Sequence, residues 1–374
     1  MVDLELLYTK RDEITLDRRN RLLWAAISYL ACFTKIKKNS KNTMIPNLSS
    51  LGLLATTAAM VRGACSSRIR VETHVNSGLS LDMVSSLIIG SQAAVVIDMP
   101  MAIPQAEELA AWVKNTTDKP LVAAFTTHFH PDHYLSGAEF LKSFPNTKYY
   151  ANSKAVAQIR VEAASKVQAV GAAFGADNIV EEVAIPSPYD FTFFTLPGDE
   201  EFPIHLLSPL TGDTVDETIF WVPSIRTLIA GDAVYGHDVH LWLADLLTPE
   251  LTESWLSTLD FIQHLRPKVI VPGHSLSNKK FGPTIDLDFT RKYLRFWQKQ
   301  IESEGPNTFT PEQIFQKFNA SFPALLAGRD IASSMFLLNA TAEQFGRDGN
   351  RQVHFVDLAA FNSTADLDAW KFSE

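Results

Sequence analysis

The stretch Thr126-Thr127-His128-Phe129-His130-Pro131-Asp132-His133 places three of the chain's ten histidines and one carboxylate within six positions. It follows directly on an apolar run, LVAAF. Side chains alternate along an extended segment, so His128 and His130 point to the same side. Asp132 and His133 lie beyond Pro131, in a turn, and are aimed at a second point close by. A lone histidine is usually satisfied inside a core, but four such donors together have no comparable explanation. Imidazole and carboxylate without thiolate suit Zn²⁺, and Fe or Mn as well. The chemistry written into this segment is that of a metal site.

Such donors need rigid elements to present them. RVETHV, SSLIIG, AAVVIDMP and LVAAFTTH, and after them TKYYANS, read as strands rich in β-branched residues. LVAAF is apolar nearly throughout, as expected for a strand buried on both faces. IPQAEELAAWVKNTT carries Ala106, Leu109, Ala110 and Val113 at helical spacing, and SGAEFLKSF reads as a second helix. A further set of strands follows in PIHLLSP, TIFWVP, RTLIAGD and KVIVPGH, with LTESWLSTLDFIQHL as an amphipathic helix. Strands alternating with helices predict α/β layering, with two packed sheets and polar residues at strand ends. From about residue 286 onward the chain reads as helical. Phe261, Trp297, Phe315, Phe322 and Phe336 are expected as packing residues of helices.

Composition narrows the range of functions. The chain has 374 residues, 46% hydrophobic and 20% charged, which is the balance of a folded protein rather than a disordered one. Its formal net charge is −9. Nucleic acid is therefore set aside as the main partner, because phosphate binding rests on Lys and Arg neutralisation. Cys32 and Cys65 are the only cysteines, which excludes a disulfide framework and a Cys-rich zinc site.

The pattern His128-x-His130-x-Asp132-His133 after a buried strand resembles the signature of the metallo-β-lactamase superfamily. That resemblance implies an αββα four-layer sandwich, here with a helical C-terminal extension, and one or two metals at the open edge of the sheets. It implies Asp232, in LIAGDAVY, as the carboxylate bridging the metals, and His274, in IVPGHS, as the ligand that joins Asp132 and His133. The family's third histidine is replaced. Nineteen residues before Asp232 stands Asp213, in LTGDTVDET, which would complete the first site with His128 and His130. A carboxylate is a harder donor and favours iron or manganese more than imidazole does. His240, eight residues past the GD of LIAGD, resembles a histidine found in one branch and is expected to face the metals. His237 lies close by, and His205 is expected to be structural. Asp132 is expected to double as ligand and base. Tyr235 is a candidate donor to an oxyanion, with Tyr134 a weaker one, and Trp242 is expected to line the substrate pocket.

The resemblance implies a hydrolase that activates water on zinc, two ions or fewer, to attack the carbonyl of a small cyclic amide or ester. Detoxification or secondary metabolism fits such a lactamase or lactonase. A thioesterase releasing a polyketide-type acyl group, or an iron-dependent oxidoreductase on the same fold, stays open. The expected division is residues 1–66 as an N-terminal extension, 67–285 as the catalytic domain and 286–374 as a helical cap or dimerisation segment. The partners expected are a small-molecule substrate and, in the dimer alternative, a second copy of the chain; no transmembrane segment is expected. A basic cluster followed by the uncharged stretch 44–61 looks like a signal peptide displaced from the N-terminus. Five N-x-S/T sequons, at Asn47, Asn115, Asn319, Asn339 and Asn362, point the same way. The compartment stays open between cytoplasmic and secreted.

Overall fold

The β-branched runs form two sheets. The computed structural model describes residues 69–349, apart from 246–247, 278–280 and 328–331. The signal-like stretch 44–61, the expected extension 1–66, both cysteines, Asn47 and Asn362 lie outside these residues. The first sheet holds β1 (Arg70–Asn76), β2 (Met83–Ile89), β3 (Ala94–Ile97), β4 (Leu121–Phe125), β5 (Lys148–Ala151) and β6 (Ser187–Pro188), in that order. The second runs β11 (Val269–Val271), β10 (Thr227–Ile229), β9 (Glu217–Val222), β8 (Ile204–Leu210) and β7 (Phe193–Phe194).

Period-two alternation decides the layering. Val84 and Ile88 of β2, Val95 and Ile97 of β3, Phe220 and Val222 of β9 and Val271 of β11 share one core between the sheets. Their neighbours Leu87, Ile89, Val96, Ile219 and Ile270 face the other way, into the core shared with the helices. On the first sheet's outer face lies α1 (Ile103–Thr116), burying the predicted Ala106, Leu109, Ala110 and Val113. Beyond the second sheet, α4 (Pro249–Leu265) buries Trp255, Leu256, Leu259 and Ile262. The order is helix, sheet, sheet, helix. Each fully buried aliphatic side chain contributes about 1.5–3 kcal/mol relative to exposure, so a slipped register in any central strand would be costly.

Two helices complete the first half: α2 (Gly137–Lys142) and α3 (Ser153–Phe174). The latter was not legible from the sequence pattern. Its buried positions are mostly alanine, valine and glycine, so its apolar stripe is faint. The Asn152 side chain caps its start by accepting from the Ala155 amide. Three further helices follow, α5 (Ile285–Gln300), α6 (Pro311–Ser321) and α7 (Ala332–Phe345). Tyr293, Trp297, Phe318, Leu337 and Phe345 from these helices enter the same core as α4. Trp297 and Phe322 are buried as expected for packing, whereas Phe261 is 40% and Phe336 37% exposed. Among the described residues, no helix is long and apolar enough to cross a membrane.

Candidate metal centre

Parallel strand pairs send their C-terminal ends to one edge. β3 runs parallel to β4, and β10 to β11. Asp98 follows β3, the His128–His133 segment follows β4, Asp232 follows β10 and His274 follows β11. The turn between β8 and β9 adds Asp213, and Glu217 opens β9. The edge is stitched across the two sheets: the Val84 amide donates to Gly273, and the Ser275 amide to Asp82. A Cβ at Gly273 would fall 1.8 Å from an Asp232 oxygen, so glycine there lets the carboxylate approach the β11 loop.

Seven side chains gather in two buried groups: His128, His130, Asp213 and Asp232 in one, and Asp132, His133 and His274 in the other. Asp232 reaches both, with one oxygen 3.2 Å from His133 Nε2 and the other 3.2 Å from His274 Nε2. Asp132 lies 3.1 Å from the same His274 nitrogen. Asp213 stands beside His128 and His130, 3.1 Å from His130 Nδ1. Every residue expected to bind metal is thus brought to this edge, except His240.

Hydrogen bonds fix the imidazole tautomers. His274 Nδ1 contacts the Leu81 carbonyl at 2.8 Å, and His133 Nδ1 contacts the Asp98 carboxylate at 3.0 Å. Both acceptors require N–H at Nδ1, so Nε2 is the nitrogen of each ring that can exchange its proton for an ion. The Thr127 hydroxyl donates to Asp98, so His128 Nδ1–H must be the donor in its 2.9 Å contact with Thr127. His130 is turned round. Its Nε2–H donates to Asp245 at 2.8 Å, and its Nδ1 faces Asp213 at 3.1 Å. The nitrogens turned to the centre therefore face carboxylate oxygens at 3.1–3.9 Å in the dry interior. Nε2 of His128, His133 and His274, together with one oxygen each of Asp213 and Asp232, are buried without an aligned hydrogen-bond partner. Such atoms are costly unless a proton or a cation lies between them. The donor set fits metal ions.

The titration behaviour follows from the same crowding. Burial pulls His274 down, but Asp232 and Asp132 outweigh it and raise the imidazole to about 10. Burial likewise opposes charge on His130 and His133, and their carboxylate neighbours raise both well above the ordinary value. His128 has less carboxylate company, and burial followed by its neighbouring imidazoles drives it well below. Burial pushes Asp213 up to about 7 despite His130. Asp98, Asp132, Asp213, Glu217, Asp232 and Asp245 give six buried carboxyls beside four imidazoles, an excess of acid that cations would offset.

Three of these groups were not read from the sequence as site residues. Asp98, held at φ +63°, accepts from the Thr127 amide at 2.7 Å and steers His133. Glu217 is fully buried, its carboxyl packed so closely on Gly212 that no Cβ would fit there. Asp245 holds His130. An aspartate after the apolar run AVVI, as Asp98 is, is the one signal that could have been found; Glu217 and Asp245 had none.

His240 and Tyr235 take other partners than expected. His240 is not in either group. Its Nδ1 lies 2.8 Å from the Tyr293 hydroxyl, and its ring packs against Tyr293 and Phe318 of the C-terminal helices. Tyr235 lies at the centre, but its hydroxyl is directed at Asp232 at 2.6 Å and Asp213 at 2.9 Å. One O–H has one proton, which in this structure is directed at those carboxylates. Tyr134 is a core residue. His237 pairs with Asp286, and His205 lies on β8 opposite Trp221.

A cavity of about 610 Å³ opens above the groups, with His130, Asp132, Asp213, Asp232 and Tyr235 in its lining. Its walls are Leu81, Met101, Trp242, the α3 face from Glu162 to Phe174, and Phe336 and Leu337 of α7. Trp242 lies where the sequence reading put it.

The family model described as the metallo-beta-lactamase superfamily matches residues 80–274, a little over half of the chain. The chain belongs to the metallo-beta-lactamase superfamily. The matched span runs from the residue before Leu81 to His274 itself, and so contains both groups. Metallo-beta-lactamase IND-1 of Chryseobacterium indologenes is 25% identical over 196 residues, covering 51% of this chain and 70% of that protein. Among solved structures, DIM-1 metallo-beta-lactamase aligns with a TM-score of 0.43 at 18% identity, over 62% of this chain and 98% of its own. A metallo-beta-lactamase from Pontibacter korlensis aligns with a TM-score of 0.40 at 20% identity, over 61% and 93%. The superfamily's hydrolases supply the class of activity, and the two His/Asp groups supply its metal-binding capacity.

Proposed function

We propose that this protein is a zinc-dependent hydrolase that opens a small cyclic amide or ester, a lactam or a lactone, in detoxification or secondary metabolism. The observation that carries the reading is the convergence of unpartnered imidazole nitrogens and carboxylate oxygens at the floor of a largely apolar cavity. His128, His130 and Asp213 would hold one ion, Asp132, His133 and His274 the other, with Asp232 shared. Bound there, Zn²⁺ would lower the pKa of a water towards neutrality and polarise a carbonyl.

The chain's own residues supply the remainder. Asp132 lines the cavity, with one oxygen on His274, and so can orient a nucleophilic water and take its proton on the other oxygen. Tyr235 holds Asp213 and Asp232 in register through one shared proton. Trp242, Val170, Phe174 and Leu337 exclude water and favour a substrate with an apolar or aromatic body. The cavity suits a drug-sized molecule rather than a polymer.

Asp213 gives a second reading its observation. A carboxylate in place of an imidazole makes the first site harder, and so supports an iron-dependent oxidoreductase as the alternative. Elemental analysis of protein purified without chelator, with a screen of lactams, lactones and thioesters, separates the two. Zinc with hydrolytic turnover supports the proposal; iron with oxygen consumption and no hydrolysis overturns it. Preference for thioesters would replace the cyclic substrate by an acyl thioester.

A further inference from the structure

Three of the four clustered histidines offer Nε2 and are held from behind at Nδ1 by a carbonyl, a carboxylate and a hydroxyl. His130 alone is reversed, and the group that reverses it is Asp245. That carboxylate lies 115 residues away in sequence. It is buried, with one oxygen 2.8 Å from His130 Nε2 and the other 3.2 Å from the Trp242 indole nitrogen. Trp242 in turn stands edge-on to the His130 ring, lines the cavity and stacks on Phe336 of α7 at 6.4 Å. Cavity wall, carboxylate and imidazole thus form one hydrogen-bonded chain.

We propose that Asp245 is a positioning residue: it sets which nitrogen His130 offers to the first group and, through the Trp242 indole, ties the substrate-facing wall to that group. The proposal rests on the metal-dependent reading above. Its physical basis is donor and acceptor arithmetic. A carboxylate only accepts, so Nε2 keeps its proton towards Asp245, and Nδ1, 3.1 Å from Asp213, is the nitrogen left to exchange its proton for an ion. Without Asp245 the ring is free to flip or change tautomer, and the indole N–H loses its partner as well. The consequence is local. His133 and His274 of the other group are held by other partners, Asp98 and the Leu81 carbonyl.

Competition for Zn²⁺ against a chromophoric chelator, on the full chain, tests this. The step weakened in His128→Ala identifies the first group. Asp245→Ala should weaken that step by ~10–100-fold and leave the other within about twofold, as is typical for a lost outer partner. Asp245→Asn should fall between, because its amide oxygen still accepts from Nε2–H. Filling the first step should also change Trp242 emission, read as the difference between wild type and Trp242→Phe, and Asp245→Ala should remove that change. Equal losses in the two Asp245 variants, losses spread over both steps, or an unaltered Trp242 response in Asp245→Ala overturn the proposal. If Asp245→Ala does not fold, Asp245→Asn decides: it must weaken the first step alone. Wild-type protein that takes up no zinc overturns the functional reading along with the proposal. Normal uptake with unchanged constants in Asp245→Ala overturns the role of Asp245 only.

Discussion

The molecule buries histidines in two kinds of surroundings. At the sheet edge, His274 lies between two aspartates and is raised to about 10. Among the C-terminal helices, His240 lies against Tyr293 and Phe318, and burial lowers it to about 3. Both rings are fully enclosed, and both keep a buried Nε2 without an aligned partner. What separates them is carboxylate company. At the sheet edge the imidazole shares its space with negative donors, as a cation site can use. Amid rings alone it is a neutral packing group with one hydroxyl contact.

The sharpest way to break this comparison is to remove a histidine from each side. His133→Ala deletes a donor from the second group, so its loss must exceed the ~10–100-fold cost usual for an outer partner. We expect turnover to fall by more than ~10²-fold while circular dichroism stays that of the wild type. A variant that retains half of its activity would remove His133 from the site. Next in size is Asp98→Ala, which frees His133 Nδ1 and also strips an acceptor from the Thr127 amide and hydroxyl. A drop of ~10–100-fold in zinc affinity is expected, measured by chelator competition. An unchanged affinity would mean that packing alone orients His133.

Legibility in the sequence follows the same division. The donors at strand ends could be read because each ends an apolar run: His128 after LVAAF, Asp232 after TLIA, His274 after VIVPG. Most strands of both sheets were legible as β-branched, apolar runs, and the two cores divide their side chains face by face; the two-residue β6 and β7 were not. Helix α3 was not, since alanine and glycine can pack without leaving a strong apolar stripe. Nor was Asp245, whose partner lies 115 positions away and leaves no trace in local spacing. His240 misled for a related reason. Distance along the chain from Asp232 says nothing about which side of the loop a ring takes, and Ser334 of α7 fixes the His240 amide into the helical layer.

A change at the cavity wall should cost less than either substitution at the sheet edge. Trp242→Ala should raise KM for an aromatic substrate by ~10-fold, within the 1–3 kcal/mol expected of a modest loss of apolar contact. Steady-state kinetics that show kcat falling further than KM rises would instead put the indole's tie to Asp245 ahead of its contact with substrate.

The smallest expected effect on activity, none at all, belongs to His240. His240→Gln keeps a polar group near the Tyr293 hydroxyl and should leave zinc content and turnover at wild-type levels. Its signature is in stability. Folding holds the His240 imidazole neutral down to about pH 3, whereas the unfolded chain protonates it below its ordinary value of 6.5. Between those limits the unfolded state binds the extra proton, so the protein loses stability as the pH falls from 6.5 towards 3. Above 6.5 the group has no such effect. The slope it can contribute is at most about 1.4 kcal/mol per pH unit. Glutamine does not titrate, and the clustered histidines are common to both proteins. Urea unfolding of wild type and variant at pH 7 and pH 5 should therefore show the wild type losing ~1–2 kcal/mol more than the variant. Parallel losses would mean that His240 takes up a proton in the folded state, and that the aromatic surroundings do not keep it neutral.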